Sequence, residues 1–256
     1  SRSIVIARRR LATTTVTTEA ELTTALDHDA RIELAADILL TSQITISGLT
    51  GVVIDGKGFE INGNNAVRCF EIYSGAEVAL SNLTITRGCV PSRGTLPTTG
   101  DGGGLAITTS ATLAMTWCNI SGNTAQNGGG LVISAAMVEL ISCTVSGNTA
   151  EVGGGLVIVS AMVEMTWCIV SENTASNVGG GLFIESSATV GLTSCTVSEN
   201  TGSIHGGGLY ISGSATVVTM SWCAVSKNTA FYKGGGVYIS SGALLYSVGC
   251  TYSGNS

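Results

Sequence analysis

The sequence predicts an all-β, single-domain solenoid whose short strands stack in parallel, coil upon coil. The first observation is a glycine triplet that recurs at Gly102, Gly128, Gly153, Gly179, Gly206 and Gly234. The second is an asparagine that closes each copy, at Asn123, Asn148, Asn173, Asn200, Asn228 and Asn255. Both series step by 25–28 residues and stay in phase, a period that means a repeat architecture. The third is composition. Charged residues are 11% of the 256, glycine is 35, and 44% are hydrophobic. Disorder goes with the opposite balance.

Before the repeat, Thr18-Glu-Ala-Glu21 has the form of a capping box, and Leu22, Ala25 and Leu26 follow at helical spacing. Residues 18–28 are expected to form a short amphipathic helix over the open N-terminal end of the stack. A bare end coil would expose unpaired backbone groups. His28 falls near the helix C-terminus and is expected at the surface. Residues 1–33 are thus expected to be tail and capping helix, with the solenoid filling 34–256. The start has no initiator Met and looks trimmed, and Arg8, Arg9 and Arg10 read as a solvated tail or a processing site. Alternating segments follow: Arg31–Leu34, Ile44–Ile46, Val52–Ile54, Phe59–Ile61. Residues 88–101, with Pro91 and Pro97, form the one long loop. The last residues, Ser253–Ser256, stop mid-coil, so the rod is expected to continue or to be covered by another subunit.

Each later copy holds three strands, near 105–107, 111–115 and 118–121 in the first. Strands repeated once per coil pair in parallel, the rest of the coil serving as the crossover. At one strand spacing per coil, eight or nine coils make a rod roughly 40 Å long. Alternation points Leu105/Ile107, Leu131/Ile133, Leu156/Ile158, Leu182/Ile184, Leu209/Ile211 and Val237/Ile239 inward, along with Ile120, Val145, Val170, Val197, Val225 and Tyr252. The glycines permit tight corners where a Cβ would meet the coil above. The asparagines are expected to form an internal ladder, each amide bonding its copy one coil away. Ala106, Val132, Val157, Phe183, Tyr210 and Tyr238 alternate out of the first strand, and an outward row so apolar predicts a contact stripe for other subunits.

The paired tetrapeptides, such as Gly-Gly-Leu-Val and Val-Ser-Gly-Asn, resemble the repeats of chlamydial polymorphic outer membrane proteins, and more broadly pectin-lyase-like right-handed β-helices. The likeness covers about residues 34–256 and implies a right-handed parallel β-helix. The family's usual Phe in the second tetrapeptide is Ile, Val or Tyr here, and no C-terminal membrane barrel follows. β-Helix lyases and hydrolases, by the same resemblance, carry clustered Asp, Lys, Arg or His on one face.

This chain shows no such cluster. After residue 101 the repeat holds no Asp; its carboxylates are Glu139, Glu151, Glu164, Glu172, Glu185 and Glu199. Glu139/Glu164 and Glu172/Glu199 are equivalent positions in adjacent coils. With no Lys or Arg placed in the same ladder, they read as solvated carboxylates rather than a calcium site or the two-carboxyl pair of sugar hydrolysis. His205 has no partner by register. No catalytic residue, metal or cofactor is assigned, and no enzyme is expected. The net charge of −6 with no basic stripe argues against nucleic acid. No run of 18 apolar residues exists to span a membrane.

Six cysteines, Cys118, Cys143, Cys168, Cys195, Cys223 and Cys250, occupy one position in successive coils. They are either a ladder of buried thiols or pairs. The residue before each alternates as Trp117, Ser142, Trp167, Ser194, Trp222 and Gly249, a two-coil period that points to coils working in pairs. Stacked Cα atoms lie within disulfide reach, so Cys118–Cys143, Cys168–Cys195 and Cys223–Cys250 are expected, with Cys69–Cys89 as a fourth, in keeping with a secreted protein. Asn82-Leu-Thr84 and Asn119-Ile-Ser121 are sequons, and Asn119 is expected to face outward. The functional expectation is an extracellular or cell-surface structural or adhesive rod that assembles with protein subunits as a filament, sheath or adhesin. The alternative is a carbohydrate-binding or carbohydrate-active β-helix that meets surface glycans. Rows such as Thr144/Ser146 and Thr196/Ser198 hint at ice binding, but Asn119, Ile169 and Ala224 interrupt them.

Overall fold

The computed structural model describes residues 12–90 and 101–256; the readings placed on Arg8–Arg10, Pro91 and Pro97 lie outside them. The chain is a parallel β-solenoid of about eight turns, with one helix among the described residues. A first sheet of ten strands runs from Thr13–Val16 to Leu244–Val248. A second of nine runs from Ile38–Leu39 to Thr251–Ser253, and a third of eight from Ile44–Ser47 to Val237–Ile239. The strands of these three sheets pair in parallel and in register, as in Leu105↔Leu131↔Leu156↔Leu182↔Leu209↔Val237.

A fourth sheet was not anticipated. Thr149–Val152, Thr174–Val178, Thr201–Gly202 and Thr229–Ala230 stack between the closing asparagine and the next triplet. The solenoid also reaches further toward the N-terminus than residue 34. Thr13–Val16 and Arg31–Leu34 are already rungs of the first sheet. The helix is shorter than its sequence pattern, Glu19–Ala25, with Thr18 as the N-cap accepting from the Glu21 N–H. Leu22 plugs the core with no exposed surface. Glu19 ties the helix to the first coils. Its carboxylate accepts from the Thr41 N–H at 2.7 Å and the Ser42 N–H at 3.0 Å, and from both hydroxyls. Burial pushes the Glu19 carboxyl up, but these bonds outweigh it and hold the group below its usual range. His28 Nδ1 sits 3.2 Å from the Thr50 N–H, a local turn contact.

The interior follows the alternation. Leu105, Ile107, Leu131, Ile133, Ile120 and Val145 are wholly buried. On the last rung Ile239 and Tyr252 are exposed instead.

The asparagine ladder is complete from Asn123 to Asn255. Each Nδ2 before the last donates to the next Oδ1, as from Asn148 to Asn173 at 2.9 Å, and to a carbonyl one coil back, Ile120 at 3.0 Å. Each Oδ1 also accepts the backbone N–H of the asparagine before it, as from Asn148 to Asn173 at 3.0 Å. The amide uses both donor hydrogens and both lone pairs. It is buried at no net loss of hydrogen bonds, the condition under which a polar group is tolerated inside. Asparagine suits the site because it is short and carries donor and acceptor together.

The triplet explains itself against this ladder. Gly128 has φ +60, and a Cβ there would fall 2.6 Å from the Val132 side chain. Gly129 would put a Cβ 2.5 Å from the Gly154 carbonyl oxygen in the next coil. One glycine is needed for conformation and the next for close approach of two backbones.

Candidate functional site

The expected contact stripe is not a free surface. Ala106, Val132, Val157 and Phe183 are 0%, 4%, 1% and 7% exposed, and Tyr210 and Tyr238 are half-buried. They do point out of the third sheet, but the chain covers them itself. Val132, Val157 and Phe183 form a second hydrophobic cluster with Val152, Val159, Val178 and Tyr210. Val152 and Val178 come from the fourth sheet, which the first glycine of each triplet folds back over the outward row. The aromatic members stack along it: Phe183 on Tyr210 at 5.2 Å, Tyr210 on Tyr238 at 5.3 Å, and His205 on Tyr238 at 4.5 Å. The row is therefore a satellite core. Sequence alternation gave its direction correctly and its exposure wrongly.

The cysteines are all free thiols, so none of the four expected pairs is formed. Cys118 through Cys223 are 1–2% exposed. Each donates to the carbonyl two residues before it, as Cys143 to Ile141 at 3.4 Å and Cys168 to Thr166 at 3.4 Å. Successive coils are linked alike: the Cys168, Cys195 and Cys223 N–H groups donate to the next sulfur at 3.4, 3.4 and 3.3 Å. Nothing in this ladder alternates, so it does not account for a two-coil period. Contact with the neighbouring thiol, then burial, pushes Cys143 up to about 12 and Cys168 and Cys195 up to about 11. Burial, with a smaller push from the Glu60 charge, raises Cys69 to about 12. Cys118, whose thiol is hydrogen-bonded to Cys143, is lowered.

The carboxylates fall as expected in one case and not in the other. Glu139 and Glu164 are register partners. Glu199, however, has a cation in its ladder: Lys227 Nζ lies 3.2 Å away in an exposed pair. Of the sequons, Asn82 Nδ2 donates to Asp55 Oδ1 at 3.1 Å. Asn119 is half-buried and its Oδ1 lacks a hydrogen-bond partner.

An exposed apolar row lies elsewhere, at the two-residue corner between the first and second sheets, on the residue before each buried cysteine. Trp117, Trp167 and Trp222 are 65%, 64% and 71% exposed. Their φ angles are +51, +53 and +57, in the left-handed region that costs an L-residue about 1–2 kcal/mol. A bulky side chain there is an outlier. Register brings Trp117, Ser142, Trp167, Ser194, Trp222 and Gly249 into one column; for example, Trp117 N–H donates to the Ile141 carbonyl at 3.0 Å and Ser142 N–H to that of Thr166 at 2.9 Å. The alternation now has a local cause. A Cβ at Gly249 would come within 2.6 Å of the Trp222 ring, so at this step the ring lies over the next corner, which holds a glycine. The signal is in the sequence, and it belongs to the corner residue itself rather than to the cysteine beside it.

The columns flanking this edge are uncharged and mix hydroxyl-bearing residues with Ile141, Val248, Ile169 and Ala224. One runs from Thr116 to Val248 through Thr166, Thr193 and Ser221, the other from Asn119 to Thr251 through Thr144 and Thr196. Among the described residues no group of three His, Cys, Asp or Glu gathers as a metal site, and no helix is long and apolar enough to cross a membrane.

No curated protein matches the chain. Among solved structures, "L. reuteri 53608 SRRP" aligns over 94% of this chain and 99% of its own, at 12% identity and a TM-score of 0.39. The family model described as "right handed beta helix region" matches residues 29–251. It does not single out the chlamydial repeats. The family holds enzymes as well as structural proteins, so membership alone assigns no activity. The stacked parallel sheets, the asparagine ladder and that match agree: the chain belongs to the right-handed β-helix family.

Proposed function

We propose that this chain is a structural or adhesive rod of the cell surface or extracellular space, not an enzyme, and that it acts through its tryptophan edge. One observation carries the reading. Three tryptophans stand exposed, in a backbone conformation they disfavour, along one edge of an otherwise well-satisfied scaffold. Tryptophan is enriched where proteins make their strongest contacts, and strain kept at a surface points to use rather than stability. The scaffold suits a passive role. Its interior is aliphatic, its buried asparagines are fully bonded, and its carboxylates are spread along the rod. The expected assembly role is retained, but moved from the buried Val132–Phe183 row to this edge.

Beads coated with the chain are expected to adhere to one another or to a glycan-coated surface. Beads carrying Trp117→Ser, Trp167→Ser and Trp222→Ser together are expected to lose that adhesion with the circular dichroism spectrum unchanged. Adhesion that survives the triple change refutes the reading. The hydroxyl-bearing columns beside the tryptophans favour one second reading, a neutral glycan lying along the edge.

A further inference from the structure

We propose that the tryptophan edge binds a neutral, extended β-1,4-linked polysaccharide laid along the rod. The inference rests on the reading of this edge as a contact face and names the chemistry of what it contacts. The chain's 3 tryptophans are the three of this edge. The corner column runs through Asn82, whose N–H donates to the Thr116 carbonyl at 3.1 Å, before it reaches Trp117. From there every second rung carries a ring, so the rings stand about 10 Å apart along the rod. The last step shows how a ring sits. A Cβ at Gly249 would lie 2.6 Å from Cε3 of the Trp222 ring, and 2.8 and 2.9 Å from its neighbours Cζ3 and Cδ2. An approach to the rim of the ring would leave those two neighbours much farther than the middle atom. The ring therefore lays one face over the glycine and turns the other to solvent, with 71% of the residue exposed.

An open indole face is electron-rich and stacks on the C–H-lined face of a pyranose. In an extended β-1,4 chain each sugar is turned over relative to the one before. Every second sugar thus presents the same face, and two sugars span close to the two-rung step between tryptophans. About five sugars, with alternate rings stacked, reach from Trp117 to Trp222, four rungs or about 19 Å. Chains that coil, such as α-1,4 and β-1,3 glucans, leave that line. Charge selects a neutral chain. The edge and its two flanking columns hold no charged residue from Thr116 to Thr251. The next column of the second sheet is serine in all six coils from Ser121 to Ser253, in register. Sugar hydroxyls find donors and acceptors there. A uronate or sulfated chain would meet a net −6 with no cation in this strip. Lys227, beyond the serines, is paired with Glu199 at 3.2 Å.

Tryptophan fluorescence of the intact chain tests this, since every tryptophan lies in the site. Cello- and chito-oligosaccharides of two to six sugars are titrated, with maltohexaose, laminarihexaose and hexagalacturonate beside them. One of the two β-1,4 series is expected to bind, with affinity rising about tenfold as a second and then a third ring is reached, at three and five sugars. The three other hexamers are expected to bind at least tenfold more weakly. Trp167→Ser is expected to cost the hexamer at least tenfold, and Trp167→Tyr to keep most of the affinity. Trp167→Ser with Ser194→Trp keeps three rings but moves the middle one by a rung, and is expected to bind as poorly as Trp167→Ser alone. Wild-type affinity in that double variant refutes the spacing. Should it not fold, the length series on the wild type still decides. Equal binding of maltohexaose, or tighter binding of hexagalacturonate, overturns the proposal. No binding of either β-1,4 series, while coated beads still adhere through their tryptophans, overturns it and leaves the contact-face reading standing, with a protein as the partner. Hexamer binding that survives Trp117→Ser, Trp167→Ser and Trp222→Ser together, read by calorimetry, refutes it outright, and the bead assay then decides the contact-face reading separately.

Discussion

Two of the apolar rows along this rod are treated oppositely by the chain. The row Val132, Val157, Phe183 points out of the third sheet and is buried; the row Trp117, Trp167, Trp222 stands at a corner and is exposed. The difference lies in how much chain each corner holds. Between the closing asparagine and the next sheet the coil spends several residues, enough for a fourth strand that folds over the first row. Between the first and second sheets it spends one residue beside the buried cysteine, which cannot cover anything. An outward apolar side chain is thus an interface candidate only where the adjoining connection is too short to reach it.

The scaffold beneath both rows breaks most readily at the ladder. Asn173→Ala leaves the Asn148 N–H and Nδ2, the Val145 carbonyl and the Asn200 Oδ1 each short of a partner. At 1–3 kcal/mol for each buried group left unsatisfied, the loss is about 4 kcal/mol or more. Chemical denaturation measures it, and both rows should be lost together. A loss below about 1 kcal/mol would mean that the ladder is incidental.

The comparison itself is sharpened by a matched pair. Phe183→Ser opens the satellite core and is expected to cost about 3 kcal/mol, as large-to-small changes in packed sites do. Trp167→Ser, at an exposed corner, is expected to stay within about 0.5 kcal/mol while changing association. Equal losses from the two would show that the rows do not differ in kind.

The smallest effect concerns pH. Cys143, Cys168 and Cys195 titrate at about 12, 11 and 11 when folded, against an ordinary 9.0. The unfolded chain therefore gives up these protons first. Stability from the neutral thiols is fully present below about pH 9 and is lost as pH rises from there toward 11–12. Cys118 is shifted the other way and offsets part of this. The melting temperature should hold from pH 7 to about 8.5 and then fall, and Cys168→Ala and Cys195→Ala together should flatten the fall. A fall equally steep in that double variant would place its cause outside the ladder.

Much of this was legible in the chain. The period of 25–28 residues, the in-phase glycines and asparagines, and the inward Leu/Ile pairs specify stacked parallel coils, because a strand repeated once per coil has only its own copies to pair with. The asparagine ladder followed for the same reason, since a buried amide must find partners and the next coil supplies them. The two-coil alternation of tryptophan with serine was visible too, though its meaning was not. Only the folded coil decided which outward residues water reaches and which thiols face one another. Alternation gives a side chain's direction from its own strand, but exposure depends on whether another segment lies over it. Here that segment is the stretch between asparagine and glycine triplet, which reads locally as a turn and becomes a covering strand only by pairing with its copies in neighbouring coils.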